Sequence, residues 1–242
     1  AVHTGWVSYT LFEPSVGNRI WKQMVAEYPS IQVLYNTKLS DLRKNGKIWN
    51  AVVKGKSQTN ITAKIVIDGT ELGDVAKLCG VKYDIGMDAR SLTGEPQALE
   101  KGNNYIQDMT VVAVLKDYGK GADKTIPKPK GYNEKEYACT CREVCNDFSN
   151  PRITEMNSCE GMMTYGKLPN GKYMINWPNQ GNDYYVNAIE MTDKERQVAY
   201  DKARLFTLGY IYFLQTKLGL KNLGLADDEF PTADKLALIP YH

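Results

Sequence analysis

A mixed α/β chain of the α+β kind is predicted, and three observations carry the prediction. Residues 31–67 alternate apolar and polar positions between turn signals, the mark of an antiparallel β-meander. Residues 192–218 keep a helical period over a long stretch whose second half is apolar nearly all round. Between them, residues 82–190 are polar, rich in loops and poor in periodicity. The expected organisation is therefore 1–81 with the meander, 82–190 as an intervening region, and 191–242 as a long buried helix with a return segment.

The elements follow in order. Ser15 to Tyr28 reads as an amphipathic helix, because Val16, Ile20 and Met24 recur at four-residue spacing. Trp21 and Val25 widen the stripe, and Pro29 ends it. Ile31, Val33 and Tyr35 then alternate, and Lys38 to Arg43 forms a short strand. Asn45-Gly46 is a hairpin signal, with Ile48 to Lys54 as the returning strand. Ile61, Ala63, Ile65 and Ile67 make a last alternating run. A short helix from about Leu72 to Cys79 follows, with Gly80 as its stop.

Met109 to Leu115 (MTVVAVL) is a candidate buried strand, and Lys116 to Tyr137 a long loop rich in Lys, Gly and Pro. Lys172 to Asn176 is a strand entered through the Pro169-Asn170-Gly171 turn. Thr192 and Glu195 form a capping box at the start of the long helix. Its expected core residues are Val198, Leu205, Phe206, Leu208, Ile211 and Leu214.

Composition narrows the function. Hydrophobic residues make up 43 % of the 242 and charged residues 24 %, ordinary for a globular chain. A formal net charge of +2 is too small for a nucleic-acid footprint, and the basic run Lys120–Lys130 reads as a solvated loop. The most apolar run, Leu205–Leu214, is about half the length of a membrane span. The first residues resemble no signal peptide, and both ends are expected to be cut ends rather than natural termini.

Candidate chemistry is limited by histidine, for the chain has two, His3 and His242, one near each end. Nucleophilic triads and histidine-based metal sites are therefore disfavoured, and no Gly-x-Ser-x-Gly elbow is present. The five cysteines are Cys79, Cys139, Cys141, Cys145 and Cys159. Their spacing does not match paired zinc knuckles, which leaves one or two disulfides, or reduced thiols, as the open alternatives. Asn60-Ile61-Thr62 fits a glycosylation triplet of the kind that arises by chance.

Three segments remain. Residues 65–76 pass from a strand through Asp68-Gly69-Thr70 to a helix with Glu71 and Asp74 near its first turn. Ile175 to Tyr185 is rich in amides and aromatics, suited to a polar planar or sugar-like ligand or to a turn cluster. Asp227 to Asp234 is an acidic cluster expected to be solvated. No Gly-x-Gly-x-x-Gly fingerprint occurs, so amides that cradle a pyrophosphate are missing from this sequence.

Taken together, these segments resemble one family. The series runs from Phe12-Glu13-Pro14 before the first helix, through the meander, Val66-Ile67-Asp68-Gly69-Thr70-Glu71-Leu72-Gly73-Asp74, Gly94-Glu95-Pro96 and Gln107-Asp108. It continues with Ile175-Asn176-Trp177-Pro178, Gly181-Asn182-Asp183, Phe230-Pro231-Thr232 and Ile239-Pro240-Tyr241-His242. In that order they look like the bacterial FAD-dependent oxidoreductases sometimes called xanthan-lyase-like, of the glutathione-reductase type.

The resemblance implies an internal fragment holding part of an FAD/NAD(P)-binding-type domain, with the Gly-rich loop elsewhere in the full-length chain. It implies FAD as cofactor of the full-length protein, held weakly or not at all by this chain alone. Asp68, Gly69, Thr70, Glu71, Gly73 and Asp74 would lie near the flavin. Gly69 stands where Ala is common in the family, and Glu71 where Gly is common. Asn176, Trp177, Asn182 and Asp183 would belong to the substrate region, with Trp177 or Tyr184 able to stack on substrate. Tyr241 and His242 would be the catalytic proton handlers. The expected partners are a small polar or sugar-like substrate and the rest of the full-length chain, with no nucleic acid and no membrane span, and export from a bacterial cell is an open expectation. Rival readings are a polysaccharide lyase, using Tyr241, His242, Asn176 and Arg90, and a carbohydrate-binding module with Trp177, Tyr184 and Tyr185 as its platform.

Overall fold

The computed structural model describes residues 10–147 and 156–242, so His3 lies outside the described residues. By internal contacts the chain divides into a meander unit, Gln23–Ile106, and a core unit, Ala1–Lys22 with Gln107–His242.

Helix α1, Pro14–Ala26, begins on a proline, whose missing amide costs nothing in a first turn. It forms where the period predicts it, but none of its residues is buried, and Trp21 is 67 % exposed. The Ile31–Tyr35 alternation produces no strand. β1 pairs only with β2, so these residues have no ladder to join, and their side chains stay exposed.

The three meander strands are β1, Lys38–Asn45, β2, Ile48–Lys54, and β3, Gln58–Ala63, paired antiparallel in that order. Gly46 takes φ 60° in the two-residue turn that the Asn-Gly signal announced. A register irregularity between Leu39 and Asp41 frees Ser40, whose hydroxyl donates to the Val52 carbonyl at 3.0 Å. The last strand starts and stops earlier than expected. The Lys54↔Gln58 pairing fixes its start, and by Trp49↔Ala63 the partner strand is nearly spent. Ile65 and Ile67 therefore run on without a ladder, 77 % and 88 % exposed. The short helices α2, Asp74–Leu78, and α3, Arg90–Thr93, complete this unit.

In the core unit the MTVVAVL run is split into β4, Met109–Thr110, and β5, Ala113–Asp117, with Val111 fully buried between them. The short helix α4, Cys159–Tyr165, is capped by the Ser158 hydroxyl, which accepts from the Gly161 amide. β6, Lys167–Leu168, turns through Asn170 and Gly171, both at positive φ, into β7, Lys172–Ile175. With β9, Leu223–Leu225, these strands form a four-stranded antiparallel sheet ordered β6-β7-β5-β9. A second ladder pairs β4 with β8, Asp183–Tyr184.

Helix α5, Asp193–Thr216, carries the predicted capping box: Thr192 accepts from the Glu195 amide, and the Glu195 carboxylate accepts from Thr192. Its buried residues are Ala199, Ala203, Thr207, Gly209, Tyr210, Ile211, Phe213, Leu214 and Gln215, so the second half is enclosed on several sides as expected while the first half buries only small residues. Val198 and Leu205 point outward, because small residues at four-residue steps let the helix approach Met109, Val111 and Trp177 closely. Thr207 joins this seam by donating to the Val111 carbonyl at 2.9 Å.

Two further expectations are resolved. Four of the five cysteines form disulfides, Cys139–Cys145 and Cys141–Cys159, and Cys79 is free and exposed. The acidic segment 227–234 is not simply solvated. Glu229 is buried against Lys172, accepts from the Ser15 amide at 2.9 Å, and so anchors the start of α1. Removing that much water from a carboxylate is tolerable only because an ammonium and an amide replace it. Among the described residues no helix is long and apolar enough to cross a membrane.

Candidate functional site

The C-terminal segment is brought alongside β4 and β5 by backbone pairing. Ala237 donates to Val112, Leu236 bridges Ala113, and Tyr241 exchanges two hydrogen bonds of 2.8 Å with Thr110. Arg204 of α5 fixes this return by forking onto both oxygens of Asp234 at 2.7 Å and donating to the Ala237 carbonyl. Thr110 also pairs across the ladder with Asp183. Residues directly opposite in neighbouring strands share a face, so Asp183, Thr110 and Tyr241 stand in one row.

Side-chain chemistry reinforces that row. The Thr110 hydroxyl donates to the Asp183 carboxylate. Burial pushes the Asp183 carboxyl above its ordinary range; the Thr110 hydrogen bond opposes this, and the nearby Asp108 charge adds to it. Tyr165 is raised likewise, first by burial and then by the charges of Asp183 and Tyr241. His242 follows Tyr241 in the chain, and its Nε2 lies 3.3 Å from the Tyr200 hydroxyl. A carboxyl that ionises late and a phenol thus share one row of the core unit, while the imidazole of the next residue meets Tyr200. Carboxylate and phenol are residue types able to take and return a proton.

The other expected substrate residues sit differently. Trp177 is 3 % exposed, and its indole donates to the Thr140 carbonyl at 2.8 Å. Asn182 is fully buried: it accepts from the Trp177 amide and donates to the Val111 and Ile175 carbonyls. Both hold the loop that delivers Asp183, and Tyr165 packs edge-on against Trp177 at 5.5 Å. Asn176 is half-buried just after β7. Thr110, Tyr165 and Tyr200 escaped the sequence reading. Thr110 could have been found, as the one polar residue inside MTVVAVL.

The expected flavin residues belong to the meander unit. The Asp68 carboxylate accepts from Thr70 through its hydroxyl at 2.7 Å and its amide at 2.9 Å, and from the Ala76 amide at 2.7 Å. Those bonds, the Thr70 side chain first, hold Asp68 below its ordinary range. The Thr70 hydroxyl in turn accepts from the Asp74 amide at 2.8 Å. Gly73 takes φ 67° and opens α2, while Gly69 and Glu71 lie exposed in the turn. The free amides of this short helix are thus taken up by side chains of its own loop, and Asp68, Glu71 and Asp74 place acid where a pyrophosphate would bring negative charge. This turn does not fit the phosphate portion of FAD.

Cys141, Glu143 and Cys159 lie close enough to suggest a metal site, but the two sulfurs are joined to each other and have no thiolate to offer. A family model described as FAD dependent oxidoreductase matches residues 2–242. No curated protein and no solved structure matches the chain.

Proposed function

The chain belongs to the FAD dependent oxidoreductase family, and from that premise we propose that it is the substrate-side portion of such an enzyme, with the loop that grips the flavin supplied by another part of a longer chain. The supporting observation is the alignment of Asp183, Thr110 and Tyr241 in one row, with His242 next in the chain. Withdrawing a hydride from an alcohol or amine carbon leaves an O–H or N–H proton that a base must accept. Asp183, with its raised pKa, is suited to that transfer, and Thr110 orients its carboxylate. Tyr241 is exposed on this row and would contact the reacting polar group, with His242 beside it in the chain as a second proton handler. A small polar or sugar-like substrate fits this donor set. In this reading Trp177 and Asn182 position Asp183 and do not touch substrate.

The exposed Ile65 and Ile67 run supports the fragment reading, since an extended apolar segment without a ladder is a place for another strand to add. Visible absorption spectra of this chain and of the full-length gene product, each with and without added FAD, test the proposal. A flavin band in the full-length product and none here is expected. In the full-length protein Asp183→Asn is expected to keep the band and to slow its bleaching by a panel of sugars and alcohols about a hundredfold or more. A full-length product without flavin refutes the reading, and so does an Asp183→Asn protein that bleaches at the unaltered rate.

A further inference from the structure

A cleft lies beside α5. It has two lobes, of about 560 Å³ and 190 Å³, and Tyr184 and Lys202 line both. Together they reach the size of ordinary small-molecule sites. The smaller lobe is lined by a run of aromatic rings, of which Tyr184 continues into the larger one. Tyr184 lies 5.6 Å from Phe206, Phe206 5.1 Å from Tyr137, and Tyr137 6.0 Å from Tyr132, centroid to centroid. The Tyr132 hydroxyl at the end of that run is buried with no hydrogen-bond partner among the described residues, a situation proteins usually avoid.

The rim is cationic. Lys130, Lys194 and Lys202 line the two lobes, and none is in an ion pair with a carboxylate among the described residues. Two acids line the lobes, Glu136 and the Glu195 held in the Thr192 cap, against three ammonium groups, so the net charge there is positive. The outward Val198 and Leu205 add apolar surface beside the same lysines. The cleft of about 650 Å³ beside Cys159 differs: its Lys217 is paired with Glu134 at 2.7 Å, and Glu143 and Glu160 line it.

We propose that the α5 cleft binds an organic anion with a flat, apolar body, whose ring lies against Tyr184 and Phe206 and whose carboxylate or other acidic group meets Lys202 and Lys194. Aromatic faces reward planar ligands, and unpaired ammonium groups select the charged one. The inference stands apart from the flavin reading, since it needs no cofactor and no turnover.

Calorimetric titration of the chain at low salt with 2-naphthoate and with 2-naphthamide, the same ring without the charge, tests it. Naphthoate is expected to bind about tenfold more tightly than the amide, a gap that narrows as salt rises. The double substitution Lys194→Ala/Lys202→Ala is expected to erase the gap and leave amide binding unchanged. Tyr184→Ala is expected to weaken both ligands, and Lys167→Ala, in the other cleft, neither. Both lysines are exposed, so their loss leaves the fold intact, which a circular-dichroism melt verifies. Equal affinity for the two probes overturns the proposal. So does a naphthoate preference that survives the double lysine substitution or vanishes with Lys167→Ala.

Discussion

Lys172→Met removes the ammonium that neutralises a fully buried carboxylate. Nζ reaches Glu229 and, at 2.8 Å, Asp228, with Lys172 and Glu229 side chains 6 % and 0 % exposed. Burial tends to lower the Lys172 pKa, but the hydrogen bonds and charges of Asp228 and Glu229 outweigh it and the net shift is upward. The Asp228 carboxyl is exposed and returns to water when its partner is lost, at little cost. Glu229 cannot. Stranding a buried charge costs about 3–5 kcal/mol, and the retained Ser15 amide keeps the loss near the lower end, about 3 kcal/mol. With a urea slope of about 2 kcal/mol/M, the midpoint should fall by about 1.5 M. Trp177, buried in the core unit, is the reporter, isolated by replacing Trp6, Trp21 and Trp49 with Phe in every protein compared. Adding Glu229→Gln to Lys172→Met removes the stranded charge and should recover most of the loss, because a buried pair adds little net stability over neutral groups. A double variant as unstable as the single one would refute the argument, since the loss would then come from packing rather than from unpaired charge.

Thiol titration of the unfolded, unreduced protein should find one reactive cysteine, Cys79, and five after reduction. Opening the smaller Cys139–Cys145 loop should cost about 2 kcal/mol and the Cys141–Cys159 loop about 3 kcal/mol by chain entropy, measured as urea midpoints of the serine variants. Five free thiols before reduction would remove the clasp. Asp183 has a folded pKa above the ordinary 3.8, so its favourable contribution is fully present below that value and is lost as pH rises through the raised one. Thermal midpoints of Asp183→Asn should therefore decline less than those of the unaltered chain across that rise, and parallel pH profiles would show that Asp183 titrates as it does in the unfolded chain.

The sequence determined what depends on neighbours within a few residues. The Thr192–Glu195 capping box, the turn at Gly46, the bounds of β2 and the hairpin into Lys172 are each set by side chains close to the backbone they organise. Tyr241 and His242 could be named because their residue types suit proton transfer, and Asp183, as a substrate-region residue, because its segment resembles a known family. Burial along α5 was misjudged at Val198 and Leu205, where apolarity alone does not say which side meets the core. The strand predicted through Ile67 failed because a strand needs a partner, and β2 ends first. The pairing of the cysteines and the capture of Lys172 by Glu229 depend on segments 18 and 57 residues apart. Thr110 meets Asp183 across 73 residues only because β4 finds β8, and Tyr241 joins them because Arg204 holds the chain end against β5. Such contacts are chosen by the free energy of burying the whole core at once, and no local pattern in the sequence carries that sum.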